Sequence, residues 1–250
     1  MGEKIGIYGP GGIGKTELVA SLINVGIEPW YIDMDRGTLG LDVARATVGE
    51  SGDLPSTFED LRACLHDFDE IDKFGAVVID TFTRAEEVFV DWVVANVPHE
   101  KLDRKIARIE DYGFGKGYGH TFECALLILQ DLDAIARRGK HAIVICHQCT
   151  EKVPSAVSED YLEYQPRLQS PPKMGKTRER VFEWANHFFR IDRDRSVSNC
   201  HAATSDVRTI YTVGTSTFWA KHRSMAGREI PDCIKYPQGG DELWTRMFGP

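Results

Sequence analysis

The chain has no apolar run approaching the roughly 20 residues that a helix needs to cross a bilayer, so nothing in it reads as a helical membrane span. Little precedes the first strand-like run at Lys4, and no secretory leader or transit peptide fits there. Cysteine is sparse. Six thiols in 250 residues do not read as a disulfide framework, and a reducing cytoplasm is the expected compartment, the host's if the chain is phage-encoded. Positive charge is also short. A formal net charge of −8 excludes a protein that coats nucleic acid through bulk charge, so any such contact must come from local basic loops. There is no internal repeat and no low-complexity tract, which excludes solenoids and arrays. No linker is good enough to divide the chain, so residues 1–250 are expected to form a single domain with enough length for a substantial core.

What is present is concentrated near the start. Gly9-Pro10-Gly11-Gly12-Ile13-Gly14-Lys15-Thr16 follows the apolar run Lys4–Tyr8 and precedes the helical pattern Glu17–Ile23. G-x-x-x-x-G-K-[ST] across a strand-to-helix joint is a P-loop. Its glycines let the backbone curl and turn N–H groups inward around a phosphate, and the helix start adds free N–H groups and a positive dipole end. In this pattern the segment Gly9–Glu17 would bind ATP. Lys15 would reach the β- and γ-phosphates and Thr16 would ligate Mg²⁺.

The elements that follow alternate. Glu28–Asp33 reads as a strand, Leu41–Thr47 as a short helix within a loop, and Thr57 as the N-cap of another helix. Gly75–Asp80 is a continuous apolar run ending in an acid, the signature of a buried parallel strand. Helices are expected over 84–97 and 120–138, with the glycine-rich segment 112–119 between them as a mobile loop and a strand over Lys140–Cys146. Residues 150–176, which hold Pro154, Pro166, Pro171 and Pro172, read as a long irregular loop. A helix at Val181–His187 leads to strands at Phe188–Asp192, Val207–Val213 and Thr217–Ala220, and the tail over 236–250 carries a short helix from Asp241. The expected fold is α/β: a mainly parallel sheet flanked by helices, with antiparallel strands added at the C-terminal end.

Several side chains fall where chemistry is done. Asp80 ends its strand at the edge where open α/β sheets bind ligands, and can share a Mg²⁺ with Thr16. Asp33 or Asp35, ending the neighbouring strand, can act as the base that polarises a water. His147 and Gln148 follow a strand and can sense the γ-phosphate. Lys221 and Arg223 can reach a phosphate across a subunit interface. Arg167, Lys173, Lys176, Arg178 and Arg180 form a local basic cluster that can follow a nucleic-acid backbone, and Lys116 with its aromatic neighbours can stack on bases or simply form a turn. Cys146 and Cys149, with Cys200 and His201 downstream, have a formally acceptable zinc spacing, although the second pair is not C-x-x-C. No Asn-Lys-x-Asp or Thr-Lys-x-Asp stretch occurs, which disfavours a GTPase.

Taken in order, the P-loop, Tyr31-Ile32-Asp33-Met34-Asp35, Val77-Val78-Ile79-Asp80-Thr81, Ile145-Cys146-His147-Gln148 and Ala220-Lys221-His222-Arg223 resemble the RecA-like ATPase core. They look closest to the short phage RecA-like ATPases of single-strand annealing and recombination. The resemblance covers roughly residues 3 to 235, and only the P-loop is strongly specific on its own. It implies that Asp35 stands at the place of the catalytic glutamate, one methylene shorter. It implies that Gln148 couples the γ-phosphate to the DNA loop, that Lys221 and Arg223 act on the ATP of an adjacent subunit, and that residues 150–176 replace a DNA-binding loop. The partners it implies are single-stranded DNA, further copies of the chain, and a single-strand-binding or replication protein. An ATP-gated loading factor that contacts protein instead of DNA, and a nucleotide kinase, are the rival expectations.

Overall fold

The structure, a computed structural model, describes residues 1–100, 106–154, 159–198 and 201–249, without the side chains of 194–206. Among the described residues nine strands form one sheet in the order β3-β2-β4-β5-β1-β7-β8-β9, with β6 paired to the far end of β5. In chain order these are β1 Lys4–Gly9, β2 Pro29–Asp33, β3 Ala44–Arg45, β4 Ala76–Asp80, β5 His141–Val153, β6 Tyr161–Pro166, β7 His187–Ser198, β8 His201–Tyr211 and β9 Cys233–Tyr236. Strands β3, β2, β4, β5, β1 and β7 run parallel, while β8 and β9 continue the sheet antiparallel. This is the expected layout of a mainly parallel sheet with antiparallel strands added at the C-terminal end, with β5 inserted between the P-loop strand β1 and the Asp80 strand β4.

Both faces of the sheet are buried, which is why its central strands read as unbroken apolar runs. Alternate residues go to opposite sides. Val77 and Ile79 pack with Leu61, Phe89, Ile128 and Leu132 under α2 (Phe58–His66), which the short α3 (Phe68–Ile71) follows, α4 (Phe82–Asn96) and α5 (Lys116–Arg137). Val78, Ile143 and Ile145 pack on the other face with Leu18 and Leu22. Those two come from α1 (Lys15–Ala20) and the 3-10 turn after it, and α7 (Glu242–Phe248) closes that face with Leu243 and Trp244. The Thr57 cap forms as expected, its hydroxyl accepting from Asp60 N in a full capping box at the start of α2.

Five expectations need correction. The segment near Leu41–Thr47 contains strand β3, not a helix. Ala44 and Arg45 pair with Trp30 and Tyr31, and the Arg45 guanidinium ties the preceding loop down through Thr38 and the Leu41 carbonyl. The stretch 150–176 is not simply irregular. β5 runs on to Val153 and pairs antiparallel with β6, so it opens with a β-hairpin ahead of α6 (Thr177–Trp184). Segment 112–119 is less a loop than a helix start. Gly113, Phe114 and Gly115 take positive φ values of 70°, 52° and 78°, and Lys116 opens α5. α6 ends before Ala185, where the chain turns extended to feed β7. Residues 217–220 make only isolated bridges, through Phe218 to Tyr164 and Thr215, whereas the short strand β9 carries no sequence signal beyond its four-residue alternation.

Candidate active site

A cleft of about 500 Å³ opens at the C-terminal ends of the parallel strands, lined by Gly12, Gly14, Lys15, Thr16, Glu17, Asp35, Asp80 and His147 among others. It is the place that the topology of an open α/β sheet provides, beyond the strand ends. β1 delivers the loop, α1 starts at Lys15, β2 brings Asp35, β4 brings Asp80, and β5 brings His147.

Gly12 and Gly14 have φ values of 68° and 91°, so a side chain at either would be strained. A Cβ on Gly12 would meet nothing within 4 Å, so the loop presents open backbone to the cleft. At Gly14 a Cβ would lie 2.4 Å from Arg208 Nη1. Gly9 is the last residue of β1, Pro10 gives its carbonyl to Lys15, Gly11 is exposed, and Ile13 is buried in the core that holds Leu18. The Lys15 ammonium is almost fully buried and donates to the carbonyls of Gly9 and Pro10 at 3.1 and 2.8 Å. Burial lowers its pKa to about 8, against the attraction of Asp80. Burial likewise raises Asp80 to about 6, opposed by the hydrogen bond from Thr16 Oγ1, which donates to Asp80 Oδ2 at 2.6 Å. A hydroxyl and a carboxylate at that separation, beside a buried lysine and an open amide-lined loop, are an oxygen donor set suited to a hard cation shared with phosphate. The residues therefore fit Mg²⁺ and a nucleoside triphosphate.

The two acids of β2 have different roles. Asp33 is fully buried, and its carboxylate accepts from the N–H groups of Asp35, Gly37 and Thr38 and from the Thr38 hydroxyl, which makes it the organiser of the loop. Asp35 faces the cleft. Its Oδ2 accepts from Thr81 Oγ1 at 2.7 Å and lies 3.2 Å from His147 Nε2. Burial works to raise the Asp35 carboxyl, but the hydrogen bonds from His147 and Thr81 outweigh it and hold the pKa below the ordinary value. Asp35 is thus held ionised, as a group that orients water must be.

Other expected residues are placed elsewhere. Gln148 points away from the cleft, its Oε1 accepting from Arg190 Nε at 3.0 Å, and Arg190 in turn lies over the Tyr164 ring at 4.4 Å. Lys221 sits over the Phe182 ring, and Arg223 lines a small cleft with Gly2, Lys4 and Asp133. Both are at the pole where β1 begins, remote from the chain's own P-loop. Arg178 is buried, with its guanidinium spent on Gln165, the Leu168 carbonyl and Glu151, so it ties the hairpin to α6 and is not free to meet a backbone phosphate. Lys116 pairs with Glu100 at 2.6 Å. Arg167, Lys173, Lys176 and Arg180 are exposed. Among the described residues no group of three or more His, Cys, Asp or Glu side chains could hold a metal, and Cys146 is fully buried. Cys200 and the His201 side chain lie outside the described residues.

Two functional neighbours are not singled out by local pattern. Thr81 caps α4 and anchors Asp35. Arg208, buried on β8, packs on Gly14 and reaches Glu17 at 3.2 Å, while Gln238 holds the other oxygen of Glu17 at 2.9 Å.

With this geometry in view, comparison with known families finds AAA_24, an AAA domain, over residues 1–224. The chain belongs to the AAA_24 family. AAA_24 membership makes it a P-loop ATPase domain of the AAA type, a class that uses Mg-ATP. No curated protein matches the chain. Among solved structures it is similar to the KaiC-like protein PH0186 from the archaeon Pyrococcus horikoshii OT3, at 13% identity and a TM-score of 0.44, over 94% of this chain and 89% of that one. Among the described residues of this AAA_24 protein, no helix is long and apolar enough to cross a membrane.

Proposed function

We propose that this AAA_24 protein hydrolyses Mg-ATP and couples the reaction to work on single-stranded DNA in phage recombination, annealing or repair. The observation that carries the reading is the continuity of β5. One strand places His147 in the ATP cleft and then grows into the β5–β6 hairpin, whose Leu162 and Tyr164 are exposed at 62% and 36%. Exposed apolar and aromatic side chains suit base stacking, and the exposed Lys173, Lys176 and Arg180 add a basic surface for phosphate contacts, while Lys152 on the hairpin pairs with Asp160 at 2.9 Å.

At the cleft, the Gly11–Gly14 backbone and Lys15 bind and orient the phosphates. Thr16 and Asp80 would hold Mg²⁺, which when bound draws charge from the phosphate oxygens. Asp35, kept ionised by Thr81 and His147, orients the attacking water. Lys221 and Arg223 face away from this cleft, so they would serve the site of a neighbouring copy packed against the β1 start.

The test is ATP turnover with and without single-stranded DNA across a salt series. Stimulation at low salt is expected, with a logarithmic salt slope of about −0.7 per phosphate neutralised. Absence of both binding and stimulation at low salt overturns the DNA reading. The net charge of −8 favours the second reading in that event, an ATP-gated loading factor that contacts protein.

A further inference from the structure

Glu17 lines the ATP cleft, yet phosphate chemistry gives it no role. It follows Thr16 directly, in the first turn of α1. A carboxylate beside a triphosphate is repelled by it, so phosphate binding alone would favour a neutral residue here. The fold neutralises this acid and fixes it in place. Arg208 Nη1 donates to its Oε2 at 3.2 Å, and Gln238 Nε2 donates to its Oε1 at 2.9 Å. Arg208 is almost fully buried in that pair, while the Glu17 side chain stays 32% exposed. A carboxylate has about four lone-pair sites. Two are taken, one on each oxygen, so each oxygen can still accept a hydrogen bond. The cleft thus holds an oriented pair of acceptors that the hydrolysis steps do not use.

The sheet order says which part of a nucleotide meets them. Asp35, Asp80 and His147 come from β2, β4 and β5, all on one side of β1, and they mark the end for Mg²⁺, terminal phosphate and water. Arg208 lies on β8 and Gln238 follows β9, both on the other side of β1. A triphosphate laid along Gly9–Thr16 with its terminal phosphate at the first side sends its nucleoside out toward the second. There, the two adjacent hydroxyls of a ribose match the two oxygens of one carboxylate, and an acidic side chain reading ribose hydroxyls is a recurring device in α/β nucleotide sites.

We propose that Glu17 accepts hydrogen bonds from the ribose hydroxyls of the bound nucleotide, with Arg208 and Gln238 as its positioning residues, so that the site selects ribonucleotides over deoxyribonucleotides. The proposal rests on the ATPase reading above and names the substrate class of that site. Arg208 offsets the repulsion between Glu17 and the phosphates, and Gln238 holds the carboxylate at one angle. Selection then comes from the sugar alone: a deoxyribose leaves a held acceptor without its donor.

The experiment measures the affinity of the full chain for Mg-ADP, 2′-deoxy-ADP and 3′-deoxy-ADP, and repeats it with Glu17→Ala, Glu17→Gln and Gln238→Ala. The readout is the ratio between ribose and deoxyribose forms, because a change in repulsion from the phosphates acts on all three nucleotides alike. The natural chain should favour Mg-ADP over the deoxy forms by roughly ten- to hundredfold, the effect of one hydrogen bond to a charged group. Glu17→Ala should bring that ratio close to one. Glu17→Gln, which keeps one acceptor, should retain part of it, and Gln238→Ala, at an exposed position, should narrow it. In turnover, the natural chain should show a higher KM for 2′-deoxy-ATP than for ATP at similar kcat, as expected of uniform binding. Equal affinity of the natural chain for all three nucleotides overturns the proposal, and so does a ratio that survives Glu17→Ala. If Glu17→Ala does not fold, a full ratio in both Glu17→Gln and Gln238→Ala overturns it equally. Lys15→Ala separates the two readings. Nucleotide binding that needs Lys15 but ignores the sugar sinks this proposal alone, whereas binding indifferent to Lys15 removes the ATPase reading and this proposal with it.

Discussion

Thr16 Oγ1 and Asp80 Oδ2 are joined by a 2.6 Å hydrogen bond, although 64 residues separate them in the chain. One belongs to the first turn of α1 and the other to the end of β4, so the sheet order alone brings them together. The pair is pre-set for a shared cation. Replacing Thr16 by Ala, or Asp80 by Asn, should raise the Mg²⁺ concentration needed for half-maximal ATP turnover by at least roughly 10- to 100-fold. A Mg²⁺ titration of turnover reads the effect, and an unchanged midpoint in both variants would remove the pair from the metal site.

Asp35 is the acid that faces the cleft, and Asp33 is not. Asp35→Asn should lower kcat by roughly 10²- to 10⁴-fold with little change in the KM for ATP, because it removes a group that acts on water and not on binding. Asp33→Asn should behave differently. It weakens the bonds that shape the 35–38 turn, so its signature is lost stability as well as lost activity.

The Tyr8 hydroxyl stands one residue before the P-loop and lies 2.7 and 3.0 Å from the carbonyls of Trp219 and Tyr164. It also accepts from Trp219 N at 3.0 Å. Tyr8→Phe keeps the ring against Phe188 but leaves Trp219 N–H only the longer bond to the Tyr164 carbonyl at 3.4 Å. The expected cost is about 1–3 kcal/mol, measured as a lower urea midpoint with an unchanged m-value.

Glu86 is a buried acid on α4 whose two oxygens both lie within 3.0 Å of Gln169 N. Burial raises its pKa to about 7, the Gln169 N–H pulling the other way. A carboxyl raised on folding binds more protons in the folded state. Its contribution to stability is therefore complete below its ordinary pKa of 4.5 and is lost as pH rises through about 7. Glu86→Gln should flatten the stability profile over that window, by about 3 kcal/mol on the linkage scale. Urea denaturation of both proteins from pH 4.5 to 8 reads the difference.

The P-loop and the acid-ended strands were legible in the sequence because local chemistry writes them. Gly9–Thr16 needs glycine for its backbone path, and β4 needs an apolar run because both its faces are covered. Thr57 and Asp60 announce a helix start through their own hydrogen bonds. The β5–β6 hairpin was hidden by its prolines and by polar strands of which one side is exposed, and only the pairing of Gln148 with Pro166 and its successors reveals it. The difference between Asp33 and Asp35 was equally invisible. It depends on a turn through Gly37 and Thr38 that folds back onto one carboxylate and frees the other. The contact of Arg208 with Gly14 and Glu17 spans almost 200 residues and leaves no local pattern.

The central assignment, an ATPase site on Gly9–Thr16, is tested most directly by phosphate release from Mg-ATP in the natural chain and in Lys15→Ala. Saturable turnover that Lys15→Ala and metal chelation both abolish is the expected result. Turnover by Lys15→Ala at the rate of the natural chain would contradict it.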